Sequence, residues 1–218
     1  MTVYSYVIEH DLGFAPNPFH GACTLACCKP LIRKHAKLND IVLGMGAAKP
    51  GLGGHLCYWM RVDEILTFDE YWADPRFRRK RPNMAATTYL RYGDNIYHHE
   101  TGDTDFRQED SFHSLPGGSL SISNRERDTG TTDKVLIGRR FAYWGRSGIK
   151  LPKSLSCFDI RTPGHKNHFE ERQIAKLVDW LGSLSLGIHA EPAHWQYLDR
   201  KKRRSTRQRS CAGSGALP

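Results

Sequence analysis

Apolar and polar residues alternate along several short runs of this chain, and those runs predict its β elements. From Val3 to His10, Tyr4, Tyr6 and Ile8 fall on one face in the strand manner. The stretch from Asp40 to Phe77 predicts strand, glycine-rich turn, long strand, short helix and stop. Ile41, Val42 and Leu43 form the apolar run of a buried strand. The segment 49–54 holds Pro50, Gly51, Gly53 and Gly54 and reads as a loop. In the strand that follows, Leu56, Tyr58, Met60 and Val62 share one face, with Cys57, Trp59, Arg61 and Asp63 opposite. Thr67 and Glu70 have capping-box spacing, and Pro75 stops the helix they begin.

The rest of the chain divides into weaker signals. Ala22–Cys28 reads as a strand of small residues, and Pro30 as the first turn of a helix ending near Asn39. Thr87–Tyr92 and Asn95–His99, with Gly93-Asp94 between them, predict a tight hairpin. Residues 101–132 are polar and glycine-punctuated, and predict long loops with little regular structure. Val135–Ile137 and Phe141–Trp144 read as two strand segments hinged at Gly138. Ile174, Leu177, Val178, Leu181 and Leu184 repeat at helical spacing, and Asn167 with Glu170 supplies a capped start to a helix over 168–184. Its apolar stripe is expected to cover the sheet.

Composition fits one domain over 1–198 followed by a tail over 199–218. Of the net charge of +9, seven cations between Arg200 and Arg209 supply +7 with no acid among them, so the remainder carries +2. Such a tail predicts a solvated, disordered terminus, or salt-screened attraction to nucleic acid phosphates. No 18-residue apolar run predicts a membrane span. Glu9, His10 and Asp11 interrupt any signal-peptide core, so a cytoplasmic protein with reduced thiols is expected.

Three groups of residues could carry chemistry. His20, Cys23, Cys27 and Cys28 resemble a zinc cluster, but the second ligand pair is missing, and on a strand Cys23 and Cys27 would lie roughly 13 Å apart. No metal site is therefore expected. Cys28 beside Lys29 and a helix start could be a reactive thiol, or the turn could take a phosphate with Lys29 and Arg33 assisting; a merely solvent-facing Lys29 is the plain alternative. The second group includes His113, Asn124, Arg127, Asp128 and Thr129, residue types suited to proton transfer or a polar ligand, or else to bonding their own loops. The third is the aromatic set, Tyr143 and Trp144 among them, which could line a pocket that stacks a base or could simply be core. No phosphate-binding loop, dinucleotide fingerprint or Gly-x-Ser-x-Gly turn is present, and the residues point to no particular cofactor.

The segments Tyr4–Asp11, Phe14–Arg33, Met60–Phe77, Asp128–Gly138 and Phe141–Gly145 together resemble the nucleotide-modification-associated domain family, type two, over about residues 1–197. The resemblance implies a role among systems that make or handle modified nucleobases. A second similarity is to PUA-like barrels such as the EVE and ASCH domains, whose strand, helix, Asp-led strand and Asp-Pro-Arg-Phe run in the same order; here Asn39-Asp40 replaces their Gly-Asp. The expected architecture is an α+β domain with a strongly bent mixed sheet or a PUA-like barrel, flanked by helices.

Three functions compete at this point. In the first, the domain handles a nucleotide or modified base, with Tyr143 and Trp144 stacking the base, Cys28, Lys29 and Arg33 taking a phosphate, and His113, Asn124, Arg127, Asp128 and Thr129 supplying hydrogen bonds and charge. In the second, it is an enzyme acting on the nucleotide, with His20, His113 and Asp128 as acid–base groups and Cys28 as a possible nucleophile. In the third, it is an adaptor that sits on nucleic acid through its tail. The first two require that Cys28–Arg33 and His113–Thr129 meet at one aromatic-walled hollow.

Overall fold

Two sheets stacked face to face carry the molecule in the computed structural model, which describes residues 1–48 and 51–195. Its strands are β1 (Val3–Ile8), β2 (Cys23–Leu25), β3 (Ile41–Gly46), β4 (His55–Arg61), β5 (Glu64–Thr67), β6 (Tyr97–His98), β7 (Arg107–Gln108), β8 (Lys134–Gly138), β9 (Phe141–Tyr143), β10 (Ile149–Lys150), β11 (His165–Lys166) and β12 (Gly187–Ile188). Its helices are α1 (Pro30–His35), α2 (Phe68–Ala73), α3 (Thr88–Arg91), α4 (Ile122–Thr129) and α5 (Glu171–Gly182). The larger sheet runs β11-β1-β3-β4-β9-β12 with β10 on β4, and the smaller runs β2-β8-β5. β1 pairs β3 and β9 pairs β12 in parallel, and the remaining pairs are antiparallel. The fold is α+β with a mixed sheet, and that sheet is an open path rather than a closed barrel.

Alternation along the strands sorts side chains into layers. Tyr4, Tyr6, Ile8, Tyr58, Met60 and Tyr143 meet Leu25 and Leu136 between the sheets. On the outer face of the larger sheet, Val3, Leu43, Trp59 and Ala142 pack beneath Leu177 and Leu181 of α5, so the late amphipathic stripe covers the sheet as its spacing requires. The outer face of the smaller sheet packs against Phe68 and Tyr71 of α2 and the segment through Tyr92, Ile96 and Tyr97. The Thr67–Glu70 capping box is present.

Four local expectations are corrected. Leu56 lies with Trp59 rather than Tyr58, because β4 carries a bulge: Tyr58 pairs Gly44 and Leu56 pairs Met45, leaving Cys57 as the extra residue. One added residue reverses every face beyond it. The 87–99 region is no hairpin: Thr88–Arg91 is helical, and Tyr97–His98 pairs instead with Arg107–Gln108. Gly93 is pressed against the carbonyl of Lys80, and buried Asp94 accepts from Thr24 Oγ1 at 2.6 Å and Tyr71 Oη at 2.9 Å, so tertiary contacts consume the turn. The polar 101–132 region contains the helix α4, which has too few apolar residues to show a stripe. The late helix begins at Glu171, where Glu170 and Gln173 form the capping box in place of Asn167 and Glu170.

Candidate functional site

β2 ends at Leu25, and the chain turns through Ala26–Lys29 into α1. Cys28 and Lys29 both hold left-handed backbone, with φ of 59° and 44°. Neither is glycine, and each such conformation costs on the order of 1–3 kcal/mol unless its surroundings impose it. The surroundings are Arg33 and Asp128. Arg33 is wholly buried and donates Nε to the Cys28 carbonyl at 2.9 Å and Nη1 to the Lys134 carbonyl at 2.8 Å, with Nη2 on the Asp128 carbonyl. Its guanidinium ties the turn to α4 and β8, so it cannot reach out to a phosphate as the sequence reading had it.

Asp128 sits wholly buried at the end of α4 and gathers donors from its own helix and three other segments. Its Oδ1 accepts from the Cys28 amide at 2.9 Å and from Arg127 Nε at 3.2 Å. Its Oδ2 accepts from His113 Nδ1 at 2.7 Å and from Tyr97 Oη at 3.1 Å. Burial by itself raises the carboxyl pKa; His113, Arg127 and the Cys28 amide outweigh that and hold it below the usual carboxylate value.

His113 is buried and fixed from every side. Asn124 Nδ2 donates to its carbonyl at 2.7 Å, and the Phe14 ring stands edge-on at 4.5 Å. Gln108 Nε2, which donates to Tyr97 Oη at 3.0 Å, also reaches the His113 carbonyl at 3.4 Å. With Nδ1–H donated to Asp128, Nε2 is left as the acceptor, and it faces Cys28 Sγ at 3.7 Å. Arg127 Nη2 lies 3.3 Å from both ring nitrogens, so the guanidinium lies across the imidazole. Burial first, then the Asp128 charge, pushes the Cys28 thiol up to about 11 against the pull of Arg127, Lys29 and Arg33.

These groups form part of the wall of a hollow of about 530 Å³. Cys28, Lys29, His113, Asn124 and Arg127 line it together with Glu9, and Tyr6, Phe14 and Phe112 supply rings to the wall. Lys29 Nζ lies 4.7 Å from the Tyr6 ring centre, and Phe112, edge-on to Phe14 and Tyr92 with ring centres 5.7 Å and 5.6 Å away, is 45% exposed.

The structure thus brings together Cys28, Lys29, His113, Asn124, Arg127 and Asp128, with Arg33 buried behind them. The remaining candidates lie elsewhere. Tyr143 is sealed in the core and donates Oη to Asp11 at 2.5 Å; Trp144 stacks on His189 with ring centres 5.3 Å apart. Those two rings fall in the two different layers on either side of the larger sheet, and neither is among the residues lining the hollow. Thr129 donates its hydroxyl to the Arg125 carbonyl at 2.9 Å. His20 packs by Phe19, and burial with Lys80 and Arg79 nearby lowers its pKa. Gln108, which braces Tyr97 and His113, went unread, since a glutamine in a two-residue strand gives no sequence signal.

His20, Cys23, Cys27 and Cys28 do not come together as one ligand cluster among the described residues. Instead the ligand atoms of Cys27, His113 and Asp128 lie within 4.8 Å of one another. Both Asp128 oxygens already accept two donors, and Arg33 and Arg127 stand beside them, so a metal ion would have to displace bonds and face two guanidiniums. The donor set fits a fixed carboxylate better than a cation site.

The model of the nucleotide modification associated domain 2 family matches residues 1–199. The chain belongs to that family. The match covers every residue of the hollow and stops where the basic run begins at Arg200; the tail reading lies outside the described residues. Neither the curated proteins nor the solved structures gave a match to this chain. No helix among the described residues is long and apolar enough to cross a membrane. Membership of this family associates the domain with nucleotide modification.

Proposed function

We propose that the domain binds a nucleotide or a modified base in the hollow beside Cys28, as part of a system that modifies nucleobases. The observation that carries this is the joint presence of two cations, Lys29 and Arg127, and an open aromatic ring, Phe112, in one cavity of about 530 Å³. That volume falls in the range of small-molecule sites. A base would stack on Phe112, and a phosphate would take charge-assisted bonds from Lys29 and Arg127. The test is mass spectrometry of small molecules co-purifying with the protein, followed by calorimetric titration with a nucleotide panel. Lys29→Met is expected to weaken the best ligand by at least about tenfold, the loss of one charge-assisted bond. Equal affinity of Lys29→Met and wild type for every nucleotide would end the proposal.

A second reading, catalysis on the bound nucleotide, is favoured by one specific feature: the bond of His113 to Asp128 with Cys28 at its other nitrogen. In that reading His113 exchanges protons, Asp128 holds its tautomer, and Cys28 faces the ligand. His20 has no part in it.

A further inference from the structure

Cys28, His113 and Asp128 are far apart in sequence, yet they stand in the order thiol, imidazole, carboxylate, with Sγ to Nε2 at 3.7 Å and Nδ1 to Oδ2 at 2.7 Å. Simple packing of a cysteine against a histidine would require only the first of these contacts. Three further features go beyond it. The thiol sits on a left-handed strand-to-helix turn, an arrangement that pushes a nucleophile out of the regular backbone. The same carboxylate that orients the imidazole also accepts the Cys28 amide, so nucleophile and base are positioned by one group. Finally, the thiol and imidazole line the hollow together with Lys29 and Arg127, cations available to a developing oxyanion.

We infer that the domain performs acyl transfer through a thioester at Cys28, with His113 as general base and acid, Asp128 as its positioning residue, and as substrate a carbonyl compound bearing a leaving group: an ester, thioester or carboxamide. This rests on the hollow holding the nucleotide, which either carries the acyl group or receives it through an amine. In the first half, the Sγ proton passes to His113 Nε2, Sγ bonds to the carbonyl carbon, and the carbon–leaving-group bond breaks as His113 returns the proton to the departing atom. In the second half, water or an amine gives its proton to His113 and attacks the thioester carbon; the C–S bond breaks and the thiol recovers its proton. No oxidant or reductant enters. The raised thiol pKa agrees with attack that needs the base rather than with a standing thiolate.

The test treats the full-length protein with p-nitrophenyl acetate and follows the burst of p-nitrophenolate, with the acetyl group located by peptide mass mapping. A stoichiometric burst is expected, with acetyl on Cys28 and not on the half-buried Cys157. Cys28→Ser is expected to abolish this thioester, and His113→Ala to slow the burst by at least about 10²-fold. Wild type alone supplies a check that needs no folded variant: the burst rate should level off with pH well below the ionisation of an unassisted thiol. A rate that climbs tenfold per pH unit into the alkaline range, equal labelling of Cys157, or an undiminished burst in His113→Ala would each overturn the inference. Absent acylation with nucleotide binding intact overturns this inference alone. Absent nucleotide binding with Cys28 acylation intact overturns the reading of the hollow.

Discussion

Asp128→Asn is the substitution whose consequences the geometry specifies most fully. The asparagine amide has one acceptor where the carboxylate had two. Its NH2 cannot face the Cys28 amide and Arg127 Nε, because both are obligate donors. It must face Tyr97 and His113: the tyrosine hydroxyl can accept, and the imidazole can move its proton to Nε2. Every bond is then formally replaced, but the bonds from His113 and Arg127 lose the negative charge of the carboxylate, and each weakens by about 1 kcal/mol. Half-exposed Arg127 keeps some solvent, so its share is discounted. A total loss of about 1.5 kcal/mol corresponds to a fall of roughly 3–6 °C in Tm for a chain of this size. The tautomer change also places an Nε2 proton against Cys28 Sγ, so the folded variant should react with iodoacetamide at Cys28 at least about 10²-fold more slowly. The depressed Asp128 pKa adds a pH signature. Its stabilisation is complete above the ordinary value of 3.8 and is lost as pH falls through the lower folded value, so the variant should lack that portion of acid destabilisation. Circular-dichroism melts and mass-resolved alkylation measure all three. A Tm within about a degree of wild type, together with unchanged Cys28 labelling, would refute the assignment of Asp128 as the hub.

Other substitutions probe separate parts of the argument. Gly44→Ala would put its Cβ 2.3 Å from the Tyr58 ring, and should cost on the order of 1–3 kcal/mol by urea denaturation; an unchanged midpoint would contradict the close packing between the sheets. Lys80 is wholly buried, donates to Asn17 at 2.8 Å and 3.0 Å, and is lowered to about 8 by burial, which outweighs the opposing pull of Asp94. Because a depressed base disfavours the folded state while charged, wild type should gain stability over Lys80→Met as pH rises from about 8 towards 10.5, by up to ~1.4 kcal/mol per unit; a constant difference in urea titrations would count against it. Trp144→Phe should leave nucleotide affinity within about twofold of wild type, whereas Phe112→Ala should lose about tenfold, the value of one stacked base. The reverse ranking in calorimetry would place the ligand elsewhere.

Residue pattern alone determined the strand faces of Tyr4, Tyr6 and Ile8, the Thr67–Glu70 cap and the apolar stripe of α5, because each depends on spacing within one element. It also supplied the residue types of the site, since histidine, aspartate, arginine and cysteine retain their chemistry wherever they land. What it could not supply was the meeting of Cys28 with His113 and Asp128, which are 85 and 100 residues away along the chain. That meeting depends on Arg33 turning inward to clamp α4, where a surface cation was the natural expectation. It depends equally on α4 itself, a polar helix held by tertiary bonds from Arg33 and Asn124 rather than by an apolar stripe. Tyr143 and Trp144 were misplaced for the same reason. Strand period assigns a face, and the face of Tyr143 does reach the hollow through Tyr6 and Ile8, but only the packing of the layers decides where along that face the cavity opens.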